Sequence, residues 1–331
     1  MADYKGIKGF KVQSLASDPS GPEGQVWYNT ASSALKYQEL AAGTWASGNT
    51  TNTARYYLGG LGIQTAGLIM GGTILPYPSV TDVSEEYDGT SWAEGSNLLT
   101  ARIAATGIGT QTAGLAVGGN ENPPSTADVE AYDGSSWTAG TNLNSAKDFV
   151  GGAGTSTAGL SIGGGSAAGG LADETESWNG STWTELADKN TSVAYGAAAG
   201  TQTAALSMAG SAPPGETYKA LAESWDGTSW TVANSMNTAR SIPGGFGIQT
   251  SAIVFGGQTA TPGYFALTEQ YDGTSWTEVA DLATARRGVA SGTIGTGLAG
   301  LCGAGLIATP TTSNLTEEWT RANAVKTVTV S

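Results

Sequence analysis

The residues of this chain best equipped for chemistry are charged, and they recur. A cation follows a small residue at Arg55, Arg102, Lys147, Arg240 and Arg286, and carboxylates recur in step at Glu85, Glu130, Glu176, Glu223, Glu269 and Glu317. A ring of cations could hold an anion or an acidic glycan, and two placed carboxylates could protonate a glycosidic oxygen and activate a water. Recurrence argues against both, because catalytic groups break a repeat rather than follow it. Six glutamates are enough to neutralise five cations, and buried pairs of this kind persist only when well satisfied. The expectation is a structural charge ring, each cation paired with a Glu within its unit or across to a neighbour.

Other chemistry is excluded by what is missing. The chain has 331 residues, 14 basic against 28 acidic, for a net charge of −14, which opposes binding to nucleic acid or anionic lipid. There is no histidine and one cysteine, so no disulfide forms within the chain and the usual zinc, copper and haem ligand sets cannot be assembled. No metal, cofactor or catalytic residue is expected. Cys302, aligned with Met70, Val117, Ile162, Met208 and Phe255, reads as a buried apolar side chain. The start, "MADYKGIKGF", lacks the apolar core of a signal peptide, and no run of 18 apolar residues occurs, so neither secretion nor membrane insertion is expected.

The elements that position these charges are read from the repeat. The hexapeptide "YDGTSW" at 87 returns at 271, with "YDGSSW" at 132, "WNGSTW" at 178 and "WDGTSW" at 225; its second aromatics, Trp92, Trp137, Trp183, Trp230 and Trp276, are 45, 46, 47 and 46 residues apart. A Gly-pair marker lies upstream ("IMGG" at 69, "AVGG" at 116, "SIGG" at 161, "SMAG" at 207, "VFGG" at 254, "LCGA" at 301), and "TAR" or a variant opens units near 53, 100, 145, 191, 238 and 284. Each unit reads as four short strands, and a period of 40 to 50 residues with four strands per unit indicates propeller blades. Asp-Gly between strands predicts a two-residue hairpin with both central residues at positive φ, its flanking aromatics packed between neighbouring units.

This set of markers resembles the kelch repeat: an Arg after a small residue, a strand ending in a Gly pair, then Glu-x-Tyr-Asp and a Trp. Val193 replaces the Arg of the fourth unit, Ala209 its first Gly, and Ala304 the second Gly of the sixth. The resemblance implies an all-β, six-bladed, kelch-like β-propeller over residues 37–331, preceded by an N-terminal arm or adaptor hairpin at 1–36. The sixth unit lacks its last strand, and the segment around Trp45, 47 residues before Trp92, is the candidate that completes it and closes the ring. The "VKTVTV" tail either adds a strand to that blade or lies across it.

Within the arm, "GPEGQVWYNTASSALKYQ" resembles segments at the start of bacteriophage structural and fibre-associated proteins, especially of cyanophages and other marine phages. That resemblance implies a non-enzymatic virion structural protein, present in several copies per particle. It would be tail- or fibre-associated, contact other virion proteins through the arm, and attach to a host-surface glycan or protein. Alternatives are a head-decorating capsid protein and a carbohydrate-binding or hydrolysing propeller. The units differ most after the Gly pair, where propellers bind partners; the aromatics there are Tyr77, Tyr218, Tyr264 and Phe265.

Overall fold

A computed structural model describes residues 12–20, 24–121, 124–166, 170–212, 217–259, 263–290, 295–308 and 311–328. The "KGIKGF" segment, part of "GPEG", several tips of the varied loops and the end of the tail lie outside them. The described residues are all β-strand, turn and loop, with no helix among them. The chain divides into two compact units, Met1–Gly43 with Arg321–Ser331, and Thr44–Thr320. Residues 37–43 and the tail, grouped by sequence with the repeats, therefore belong to the smaller unit.

That smaller unit is a four-stranded sheet of Gln13–Leu15, Val26–Asn29, Ala34–Leu40 and Asn323–Thr327. The tail strand pairs antiparallel with Ala34–Leu40, Leu40 opposite Asn323. The spacing of "VWYN" and "LKY" has a physical reason. Trp27 Nε1, Asn29 Nδ2 and Lys36 Nζ all donate to the Asp18 carboxylate, at 3.1, 2.6 and 3.0 Å. Lys36 and Asn29 together hold that carboxyl below its ordinary pKa.

Among the described residues the larger unit contains six antiparallel sheets of four or five strands in chain order, a propeller-like arrangement, together with three two-stranded hairpins. Sheet 1 is Gly59–Ile63, Ala66–Met70, Ser84–Tyr87 and Trp92–Glu94, and the pattern repeats with first strands at Thr106–Thr110, Gly151–Thr155, Ala197–Thr201, Gly244–Ile248 and Gly295–Thr296. In sheet 6 the outermost strand is Thr44–Gly48, which pairs antiparallel with Thr316–Thr320, Trp45 opposite Trp319. Glycine is frequent on the first strands because neighbouring ones approach closely. A Cβ on Gly107 would stand 2.2 Å from the Gly60 carbonyl oxygen.

The core lies between sheets. Each aromatic pair packs on residues of an adjoining sheet: Tyr132 and Trp137 of sheet 2 on Leu61, Leu68 and Met70 of sheet 1, and Tyr87 and Trp92 of sheet 1 on Ala290, Leu301 and Ala304 of sheet 6. The indole N–H groups follow the sequence closely. Where the residue before the repeated Glu is Ser or Thr, its hydroxyl accepts: Trp137 from Ser84, Trp92 from Thr316, Trp230 from Thr175 and Trp45 from Thr268, at 2.8 to 3.1 Å. Where that residue is Val129 or Ala222, the indoles of Trp183 and Trp276 turn to the carbonyls of Thr141 and Asn234.

Two expectations are corrected. In sheet 1 Tyr87 pairs directly with Trp92, so the loop holds four residues, and of its Asp-Gly only Gly89 has positive φ. Asp88 acts through its side chain, accepting the N–H groups of Thr90 and Ser91 at 2.8 and 2.7 Å; the motif is an Asx-type turn. In the sixth unit the Gly pair is one residue later than read. Ala304 (φ 57°) and Gly305 (φ 109°) occupy the conformations of Gly71 (63°) and Gly72 (100°). Cys302 pairs with Glu317 as Ile69 pairs with Glu85, so it aligns with Ile69 rather than Met70. It is buried and free, its thiol pushed up to about 12 by burial.

Ser84→Ala would leave the buried Trp137 N–H without its acceptor and is expected to cost about 1–3 kcal/mol, read as a lower urea midpoint. Ala222→Ser, where Trp276 already has a carbonyl partner, should change the midpoint little.

Candidate functional site

Each repeated cation sits where the chain passes from the outermost strand of one sheet to the first strand of the next. Arg55, Arg102, Arg240 and Arg286 have essentially no exposed surface. In each, Nη2 donates to the Glu of the same sheet: Arg55 to Glu85 at 2.9 Å, Arg102 to Glu130 at 2.5 Å, Arg240 to Glu269 at 2.6 Å, and Arg286 to Glu317. Nη1 donates to two carbonyls, in sheet 1 those of Gly71 and Val83. The pairing lies within a sheet, not across sheets. Burial draws Arg55 and Arg240 below the ordinary guanidinium pKa, and the partner carboxylate opposes this. Lys147 makes the simpler contact of a point charge, Nζ 2.8 Å from Glu176 Oε1.

The glutamates also hold the incoming segment. Glu85 accepts the N–H groups of Asn52 and Thr53 at 2.6 and 3.2 Å, and Glu130, Glu223 and Glu269 each accept two in the same way. The carbonyl at the cation position, Val193 in the fourth repeat, accepts from the second glycine of the adjoining sheet: Gly72 N–H to Arg102, Gly119 to Lys147, Gly164 to Val193, Gly210 to Arg240, Gly257 to Arg286 and Gly305 to Arg55, at 2.8 to 3.4 Å. The charge set is thus an internal brace.

The fourth sheet keeps its charge by a different residue. Val193 stands where the cation is absent, and Lys189 occupies the position filled by Leu98, Leu143, Met236 and Leu282 in other repeats. Lys189 is buried, and burial lowers its ammonium to about 8 against the pull of Glu223 and Asp173.

A second constellation lies two residues beyond each cation. Tyr57, Ala104, Phe149, Tyr195, Ile242 and Gly288 all have φ between 48° and 63°, a region that costs non-glycine residues about 1–2 kcal/mol each. Their backbones are linked in succession: Tyr57 N–H donates to Gly288 O at 2.7 Å, Ala104 to Tyr57 at 2.7 Å, Phe149 to Ala104 at 2.9 Å, Ile242 to Tyr195 at 2.7 Å and Gly288 to Ile242 at 3.2 Å. Clustered strain of this kind marks ligand clamps and other functional positions. The six residues line a cavity of about 20 Å³, room for about one water. The ring of Phe149 lies 5.1 Å from that of Tyr57 and 4.3 Å from that of Tyr195. Burial raises the Tyr57 phenol to about 12 and raises Tyr56 as well.

Of the aromatics singled out by sequence, Tyr264 joins this group, its ring centroid 5.2 Å from the Arg287 guanidinium carbon. Phe265 lies over the buried Arg240 at 5.5 Å and so has a packing role. Tyr77 is 57% exposed on its loop, and Tyr218 pairs with Ser211 in a short hairpin. Sequence reasoning missed Tyr57, Phe149, Tyr195 and Arg287. For the three aromatics the signal was a constant offset of two from the cation position, hidden because the residue types differ; Arg287, directly after Arg286, carries no such signal.

The solved structure of YjhT is similar in fold: TM-score 0.68 and 13% identity, covering 81% of this chain and 95% of that one. Identity so low speaks to the propeller-like, all-β fold alone. No protein-family model and no curated protein matches the chain.

Arg102→Met is expected to lower stability by about 3–5 kcal/mol by leaving Glu130 buried and unpaired, and Arg102→Met with Glu130→Gln should recover part of it; denaturant titration reads both. Lys189 gives a pH test. Unfolded, it keeps its proton up to about 10.5; folded, only to about 8. Between those values the folded chain binds fewer protons, so stability from this group rises with pH. Wild type should therefore gain on the order of 2–3 kcal/mol from Lys189 between pH 7 and 10. Lys189→Leu with Val193→Arg should lose that gain, measured as urea midpoints at both pH values.

Proposed function

We propose that the six sheets are the blades of a six-bladed, kelch-like propeller, closed by Thr44–Gly48 in the last blade. The Gly305 N–H to Arg55 carbonyl bond and the packing of Tyr87 and Trp92 on Leu301 and Ala304 support this reading. The protein acts through surface contacts rather than turnover, as a bacteriophage virion structural protein. The observation that carries this is that the repeated charges are used inside the scaffold as buried pairs, while sequence variation is concentrated in the loops after the Gly pairs, one of which exposes Tyr77.

The small unit serves as the mount. Its "VWYN" and "LKY" residues build a separate sheet around Asp18, and this is the segment whose sequence resembles the start of phage fibre-associated proteins. A tail or fibre position, in several copies and with the loop face directed to other virion proteins or a host-surface glycan or protein, fits best. Tyr77, the most exposed loop aromatic, favours a glycan-binding role as the second reading.

Mass spectrometry of purified particles together with antibody labelling in electron micrographs tests the proposal. The protein should co-purify with particles and label the tail or fibres. Its absence from particles would sink the virion reading, labelling on the head would move it to a capsid decoration, and sugar release lost on changing a single Glu would replace it with a hydrolase.

A further inference from the structure

The five repeated turns share one geometry but not one leading residue. Asp88, Asp133, Asp226 and Asp272 lead four of them, and Asn179 leads the third, followed by Gly180 in the only Asn-Gly pair of the chain. Asn179 imitates the carboxylates. Its Oδ1 accepts from the Ser181 N–H, the Ser181 hydroxyl and the Thr182 N–H, each at 2.9 Å. In the Asp-led turns one carboxylate oxygen accepts the two corresponding N–H groups at 2.7 to 2.8 Å. The difference lies at the other terminal atom. Asn179 Nδ2 donates to Thr182 Oγ1 at 3.0 Å, whereas Ser91, Ser136, Ser229 and Ser275 donate their hydroxyls to the second carboxylate oxygen.

Such a turn suits an anion better than an amide, because charge-assisted bonds to the same donors are stronger. Asp133 and Asp226 are drawn down to about 2, with the hydroxyls of Ser135 and Thr228 contributing most. Thr182 needs only to rotate its hydroxyl to donate instead of accept. The amide is also placed to react. An asparagine followed by glycine closes a five-membered ring readily, since no Cβ crowds the attacking nitrogen. Asn179, Gly180, Ser181 and Thr182 are all exposed to water, and among the described residues no acceptor takes the Gly180 N–H. The three donors on Oδ1 draw charge from Cγ and stabilise the oxyanion that forms when this carbon is attacked.

We propose that Asn179 is a self-modification site, converting to aspartate through a cyclic imide with Gly180, and that the turn directs the ring to reopen as aspartate rather than isoaspartate. The Gly180 nitrogen attacks Asn179 Cγ, the new N–Cγ bond forms and the Cγ–Nδ2 bond breaks. The Gly180 amide proton passes through solvent to Nδ2, which leaves as ammonia. Water then adds to Cγ, the ring N–Cγ bond breaks, the nitrogen regains a proton and a carboxyl group remains at position 179. Attack of water on the main-chain carbonyl carbon would instead leave isoaspartate, which inserts one methylene into the backbone. The ends of this loop are fixed: Trp178 is paired with Trp183, and the Asn179 N–H donates to Thr182 O at 3.3 Å. Aspartate leaves that backbone unchanged and reproduces the other four turns.

The test incubates the freshly purified full chain in mildly alkaline buffer, native and in urea. Peptide mapping by mass spectrometry with electron-transfer fragmentation then counts amide, aspartate and isoaspartate at position 179, with Asn179→Asp as the product standard. In the native chain Asn179 should convert before any other asparagine and give mainly aspartate; in urea isoaspartate should dominate, as it does in free peptides. Ser181→Ala, which removes one donor, should slow the native conversion a few-fold. The urea midpoint of Asn179→Asp should equal or exceed that of wild type. A native amide that persists after the unfolded chain has converted, earlier conversion of another asparagine, or isoaspartate as the main native product would overturn the proposal. So would a lowered midpoint in Asn179→Asp or an unchanged rate in Ser181→Ala.

Discussion

A guanidinium buried against a carboxylate is the interaction on which the large unit depends. Each charge alone would be untenable in a core, and each is held there by more than its partner. Arg55 reaches two carbonyls of its own sheet as well as Glu85, while Glu85 accepts two backbone N–H groups of the entering segment. The Arg fork is suited to this because one planar group serves carbonyl and carboxylate together. The brace therefore fixes where each chain segment enters its sheet, and with it the position of the residues two places on.

Packing between sheets adds the second level. Large aromatics from one sheet fill space against aliphatic side chains of an adjoining one, and the indole N–H finds a hydroxyl or, failing that, a carbonyl. The fourth repeat shows how far this can bend. Its charge comes from Lys189, four residues before the expected place, and burial pulls that lysine down to about 8. The scaffold tolerates the exchange because the Glu223 carboxylate still receives the N–H groups of Asn190 and Thr191.

Much of this was legible in the sequence because it repeats. The cations, the glutamates and the tryptophans keep one spacing, and four strands per unit followed from it. The parts that were not legible involve backbone conformation. Ala304 takes a left-handed conformation normally given to glycine, so "CGAG" was matched one residue early. Asp88 serves its turn by accepting hydrogen bonds and not by adopting positive φ. The residues around the cavity share φ and hydrogen bonding but not type, from Tyr57 to Gly288, so recurrence of letters could not reveal them. The tail strand depended on a partner more than 280 residues away, Ala34–Leu40.

The pairing of Thr44 with Thr320 places the two exits of the large unit side by side, and Ala41 N–H donates to Ala322 O just beyond them. Any pull entering from the small unit is then divided between two covalent strands running in company. Such a load does not peel one away from the other. The large unit is thus joined to the small one by two backbones that leave it side by side, not by a single linker.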